Sequence, residues 1–117
     1  TYLFCDAYEL SWGDAEAACT LYGYHLVTLD DEAENAWVTD ELDVFGHDGW
    51  WGGLTDVVEE DVWLWVSGSS AGYRNWSDGQ PNNWLWNQHC LELYGDGDGL
   101  WNDDTCSDRK RFVCELE

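Results

Sequence analysis

Five cysteines in 117 residues constrain this chain more than any other feature of it. Such a density in so short a chain points to an oxidising compartment, where covalent cross-links carry part of the stability. Cys5, Cys19, Cys90, Cys106 and Cys114 nowhere show the C-x-x-C spacing of a zinc ribbon or a redox motif. Disulfides therefore account for them better than a structural metal does. A bridge closing a loop as long as Cys19 to Cys114 would stabilise the fold by about 3–5 kcal/mol in the chain-entropy model. The count is odd, so one thiol is left over.

Charge narrows the function. Lys and Arg number 4 against 25 Asp and Glu, a formal net charge of −21. Such a chain repels phosphate backbones and anionic lipid heads, which argues against nucleic-acid and membrane-surface partners. Most of the acid reads as a solubilising surface. Disorder is excluded, because 44% of residues are hydrophobic and ten are Trp. No apolar run reaches the ~20 residues that a spanning helix needs, so membrane insertion is not expected. The length fits one domain over residues 1–117.

Local patterns divide the chain. Residues 11–45 read as helical. Ser11 and Asp14 resemble a capping box, and Trp12, Ala15, Ala18, Cys19 and Tyr22 share one face of a helix that Gly23 ends. His25 to Leu29 suits a strand. Asp30 or Asp31 caps a second helix, with Ala33, Ala36 and Trp37 expected on its inner face. Beyond Trp50 the helical period is lost. Val62–Val66 is a continuous apolar run, Leu91-Glu92-Leu93 alternates like a half-buried strand, and Arg111–Cys114 is expected beside a first strand at Tyr2-Leu3-Phe4. Ala71 to His89 shows no period. So long an irregular segment is expected to be functional and pinned. Asn75-Trp76-Ser77 matches a glycosylation sequon, but Trp76 reads as core.

Four motifs lie in order: Trp12-x-x-Ala15-x-x-x-Cys19, Trp51-Gly52-Gly53-Leu54, Trp101-Asn102-Asp103 and Cys114-Glu115. Gly23-Tyr24-His25-Leu26-Val27 and Tyr73-Arg74-Asn75-Trp76 fall between them. Together they resemble the C-type lectin-like domain over essentially the whole chain. The resemblance implies an α+β fold of two helices with small antiparallel sheets and a long irregular ligand-binding loop. It also implies bridges Cys19–Cys114 and Cys90–Cys106.

The resemblance implies a main calcium site as well, at Gln80, Asn82, Gln88, Asn102 and Asp103. Calcium is a hard cation that takes six to eight oxygens, and amide and carboxylate oxygens are the right donors. A cis Gln80–Pro81 bond, also implied, would turn both flanking side chains toward one ion. Only Asp103 of the five carries charge, where family members supply three carboxylates, so the affinity is expected to be low. An accessory site maps onto Asp56, Glu60, Asn83 and His89, where His89 stands in place of an Asp. Gly95-Asp96-Gly97-Asp98-Gly99 adds two carboxylates, but no Glu closes an EF-hand pattern.

Trp84 and Trp86 follow the tripeptide closely. A Trp at position 84 resembles the galactose-binding branch, where an indole packs on the apolar face of the sugar. The ligand-binding set expected is therefore Gln80, Asn82, Trp84, Gln88 and Asn102. Enzyme motifs are missing: His25, His47 and His89 are scattered, and neither Gly-x-Ser-x-Gly nor His-Glu-x-x-His occurs. The sequence thus reads as a secreted lectin, calcium-dependent and galactose-type, with carbohydrate or a glycoconjugate as partner. The competing reading is a calcium-independent module that recognises a protein or another surface through the same loop. Cys5 is expected to pair with a cysteine outside this sequence or with a second chain.

Overall fold

The structure is a computed structural model and describes residues 1–46, 49–82, 87–94 and 99–116. Its elements are β1 (Tyr2–Leu10), α1 (Trp12–Leu21), β2 (His25–Leu26), α2 (Glu32–Phe45), β3 (Trp50–Thr55), β4 (Leu64–Trp65), β5 (Cys90–Leu93), β6 (Trp101–Asp104) and β7 (Lys110–Glu115). The sheet runs β1-β7-β3-β5-β6, with β2 added to β7 and β4 to β3. Its strand pairs are antiparallel except β3 with β7, so the sheet is mixed. β7 returns beside β1 as expected, with Leu3 opposite Cys114 and Phe4 opposite Val113.

Both helices start where the caps place them. Ser11 Oγ accepts the Asp14 N–H at 3.3 Å, and Asp31 Oδ1 accepts that of Glu34 at 2.8 Å. α1 buries Ala15 and Cys19. Tyr22, expected on that face, is instead exposed. It is the C-cap, beyond the last helical turn, where Gly23 at φ +81° redirects the chain. The inner face of α2 also differs from expectation. Asn35, Val38, Thr39 and Leu42 are buried, while Ala33, Ala36 and Trp37 are not. Setting the Val38–Leu42 stripe against the core rotates Ala33 and Ala36 outward. Trp37 lands at the margin, its ring 4.9 Å from that of Tyr2 and 6.1 Å from that of Phe4.

Two apolar clusters lie against the sheet. One gathers Trp50, Trp65 and Trp101 with Val38, Leu42 and Leu91. The other gathers Trp51 and Phe112 around both disulfides. The close fit of β3 explains its glycines: a Cβ on Gly53 would lie 2.5 Å from the Leu26 carbonyl oxygen. Cys19–Cys114 ties α1 to β7 across 95 residues, and Cys90–Cys106 ties β5 to the turn after β6. This is the pairing the resemblance implied. Cys5 is a free, part-buried thiol whose pKa burial pushes up.

Three strand expectations change. The Val62–Val66 run gives a strand only at Leu64–Trp65, with Val62 and Leu64 largely exposed, and the His25–Leu29 stretch only at His25–Leu26. β5 is buried on both faces, Glu92 included, because a buried cation meets the carboxylate there.

Candidate functional site

The aperiodic segment is pinned to the core by its own polar atoms. The Arg74 guanidinium donates to the carbonyls of Ala71 at 3.1 Å, Tyr73 at 2.8 Å and Trp63 at 3.1 Å, and lies over the Trp65 ring. Asn75 and Ser77 then lock onto β6: Trp101 N–H donates to the Asn75 carbonyl and Ser77 N–H to the Trp101 carbonyl, both at 2.9 Å. Asn75 Nδ2 donates to the Gly99 carbonyl at 2.5 Å. The sequon amide is therefore engaged, and Trp76 packs against the core beside Trp101, as expected.

This anchoring delivers the Gln80-Pro81-Asn82 tripeptide to β6. Gln80–Pro81 is cis. The Asn82 N–H donates to Asp103 Oδ1 at 3.1 Å, so the tripeptide and the Trp-Asn-Asp motif meet directly. Asp103 is fully buried. Gln80 Oε1 is a buried acceptor with no hydrogen-bond partner among the described residues. An orphaned buried acceptor costs on the order of 1–3 kcal/mol, which a cation at that oxygen would offset. The donors here are oxygens, the type calcium accepts.

Gln88 and Asn102 are held by a second network that sequence reading missed. Asn102 Nδ2 donates to Glu92 Oε1 at 2.8 Å, and Gln88 Nε2 to Asp104 Oδ1 at 3.4 Å. Lys110 sits between the two carboxylates, 2.9 Å from Glu92 and 2.8 Å from Asp104, with its ammonium over the Trp51 ring. Burial works against that charge, but the two carboxylates outweigh it and hold the ammonium's pKa above its ordinary value. Tying both amide nitrogens to carboxylates fixes which way each amide faces, and directs its oxygen away from Glu92 or Asp104. The five expected ligands thus fall into two sets. Asn82 meets Asp103 through its backbone N–H, with Gln80 in the same tripeptide, whereas Gln88 and Asn102 are oriented by the Lys110 network. The only trace of that network in the sequence was a Glu between two Leu residues.

The accessory residues also converge. His89 Nδ1 lies 2.9 Å from Asp56 Oδ1 and 3.7 Å from Glu60 Oε1. A hydrogen bond to Asp56 raises the pKa of the Glu60 carboxyl. Asn83, Trp84 and Trp86, with Gly95 to Asp98, lie outside the described residues. A separate cleft of about 170 Å³ opens between α2 and Tyr73, lined by Asn35, Thr39 and Asn75. It is smaller than the ~300 Å³ at which ligand pockets begin, so it does not compete as the site.

A family model for the lectin C-type domain matches residues 8–116. Lectin BRA-3 of Megabalanus rosa is 33% identical over 116 residues, which cover 97% of this chain and 69% of that protein. The galactose-specific lectin nattectin of Thalassophryne nattereri is 32% identical over 108 residues, covering 91% of this chain and 67% of its own length. Among solved structures, the mouse scavenger receptor C-type lectin carbohydrate-recognition domain matches with a TM-score of 0.86 at 34% identity, over 99% of this chain and 88% of that one. The chain belongs to the C-type lectin domain family. Its relatives are lectins, so it stands among binding proteins rather than enzymes. Among the described residues no helix is long and apolar enough to cross a membrane.

Proposed function

We propose that the protein is a secreted lectin that binds a galactose-type sugar through a calcium ion at the Gln80–Asp103 junction. The observation that carries this reading is Gln80 Oε1, buried and without a partner among the described residues, in a tripeptide whose Asn82 is hydrogen-bonded to buried Asp103. Gln80, Asn82 and Asp103 supply oxygens, and the Lys110 network turns the Gln88 and Asn102 oxygens away from their own carboxylate partners. The ion, when bound, would polarise and hold two sugar hydroxyls, while Trp84 gives the apolar ring face an indole to stack on. Gln80 and Trp84 support galactose, as does the 32% identity to a galactose-specific lectin. Secretion is supported by the two disulfides, which persist in oxidising compartments. Residues 1–117 act as one binding unit in this reading.

The test is retention on immobilised galactose and mannose, with and without a calcium chelator. The expected result is retention on galactose that chelator releases. Stronger retention on mannose overturns the sugar assignment. Binding to a protein surface that chelator leaves intact, with neither sugar retained, transfers the loop to the calcium-independent reading.

A further inference from the structure

The Asp56, Glu60 and His89 cluster does not have the chemistry of the accessory calcium site that the resemblance puts there. We propose that it binds a divalent transition ion of the zinc class. Calcium takes six to eight oxygens, and an imidazole nitrogen is not among its donors. One nitrogen and two carboxylates, with water completing the set, is instead a zinc-type donor set.

The geometry agrees with the chemistry. The three donor atoms lie within 4.8 Å of one another. Bonds of about 2.0–2.2 Å around a tetrahedral ion separate its donors by roughly 3.3–3.6 Å. The two His89 distances, 2.9 Å to Asp56 and 3.7 Å to Glu60, bracket that range. Small movements of the Glu60 side chain, which is 43% exposed, would complete the fit. Water for the fourth position has access from that side, since Asp56 is enclosed and His89 is only 27% exposed.

The backbone holds the donors in place before any ion arrives. The Asp56 N–H donates to the His89 carbonyl at 3.1 Å, and Thr55 Oγ1 donates to the same oxygen at 2.5 Å. Thr55 pairs with Cys90, which the disulfide to Cys106 fixes in turn. Asp61 adopts a left-handed φ of +65°, a conformation disfavoured for a non-glycine residue. In that conformation its N–H donates to Asp56 Oδ2 at 2.9 Å and reaches Glu60 Oε2 at 3.2 Å. One oxygen of each carboxylate is thereby occupied, and the other is turned toward His89. Such outer contacts orient the ligands of metal sites. On binding, any proton on His89 Nδ1 or shared with the carboxylates leaves to solvent. The two carboxylates, with neutral imidazole, then balance the double charge of the ion. The cluster shares no residue with the Gln80, Asn82 and Asp103 set, and the proposal does not depend on the lectin reading.

The test is calorimetric titration of the chain with zinc chloride in millimolar calcium and physiological salt, where the general acidity is screened and calcium sites are filled. A Cys5→Ser background removes the thiol as a competing donor. One zinc equivalent that calcium does not displace is expected. It should weaken at least ~10-fold in His89→Gln and Asp56→Asn, and persist in His25→Gln, which alters the other described histidine–carboxylate pair. In the unmutated chain, zinc should also shift the His89 ring resonances, a readout independent of how the variants fold. The proposal is overturned if no equivalent survives calcium, if the His89 ring does not respond, or if His89→Gln folds and binds zinc as tightly as the parent.

Discussion

Replacing Lys110 by Met removes the one ammonium that separates Glu92 from Asp104. It lies 2.9 Å and 2.8 Å from them, and the side chains of Lys110, Glu92 and Asp104 are only 13%, 9% and 19% exposed. Removing one partner of a buried ion pair costs roughly 3–5 kcal/mol, because the remaining charge stays buried and unpaired. Met keeps most of the aliphatic stem and its packing on Trp51, so only the cation–π part of that contact is lost. The partial exposure of Asp104 places the expected loss at the lower end, about 3 kcal/mol. Unfolding entropy of ~2.1 cal/mol/K per residue gives about 0.25 kcal/mol/K for 117 residues, and hence a fall in Tm of about 12 °C. Thermal unfolding followed by near-ultraviolet circular dichroism measures it. Adding Glu92→Gln should restore about half the loss, because one buried charge disappears and Gln still offers Asn102 an oxygen. A Tm for Lys110→Met within about 3 °C of the parent refutes the reasoning. So does a double variant no more stable than the single one.

Glu115 carries a pH dependence of known sign. Burial, with the neighbouring charge of Glu34, raises its pKa from 4.5 to about 7. Its contribution to stability is therefore present in full below about pH 4.5 and is lost as pH rises through about 7. Glu115→Gln should exceed the parent above pH 8 by about 1–2 kcal/mol, the full shift being reduced by solvent screening of this half-buried group, and match it near pH 4, as read from denaturant midpoints; a constant difference across that range contradicts the assignment. Arg74→Met leaves the carbonyls of Tyr73 and Trp63 without their donor, and should cost about 2–4 kcal/mol and speed proteolytic nicking between residues 71 and 82. Unchanged cleavage there means that the segment is held by other contacts. Trp84→Ala should weaken galactose binding by at least ~1 kcal/mol with little change in Tm, whereas a large stability loss marks Trp84 as core.

The parts of the fold legible in the sequence are those fixed by local chemistry. Ser11 as one cap, the Asp30–Asp31 pair as the other and Gly23 as a stop each depend on residues a few positions away. The family resemblance added the disulfide pairing and the meeting of Asn82 with Asp103. Long-range polar partnerships were not legible. Asn35 is buried in α2 because it accepts the Trp101 indole N–H at 2.8 Å, across a separation of 66 residues, and this contact sets the inner face of the helix. Glu92 reads as the outward member of an alternating strand until Lys110, from another strand, is placed against it. The convergence of Asp56, Glu60 and His89 was expected from the family pattern, but its carboxylates alone describe only a weakened calcium site. Distances and donor type give it a different chemistry.

The proposed function stands on a specific calcium ion at the junction of Gln80, Asn82 and Asp103, which a calcium titration of the parent and of Asp103→Asn would test. Only one of the five expected ligands is charged, which sets the expected Kd in the range of ~10⁻⁴–10⁻³ M found in extracellular modules. The net charge of −21 raises the local concentration of any cation, so magnesium at equal ionic strength is the control for screening alone. Millimolar calcium should bind one site and raise the Tm, magnesium should not reproduce the rise, and Asp103→Asn should remove most of it. An equal rise with magnesium, or an Asp103→Asn variant that responds to calcium as the parent does, would contradict it.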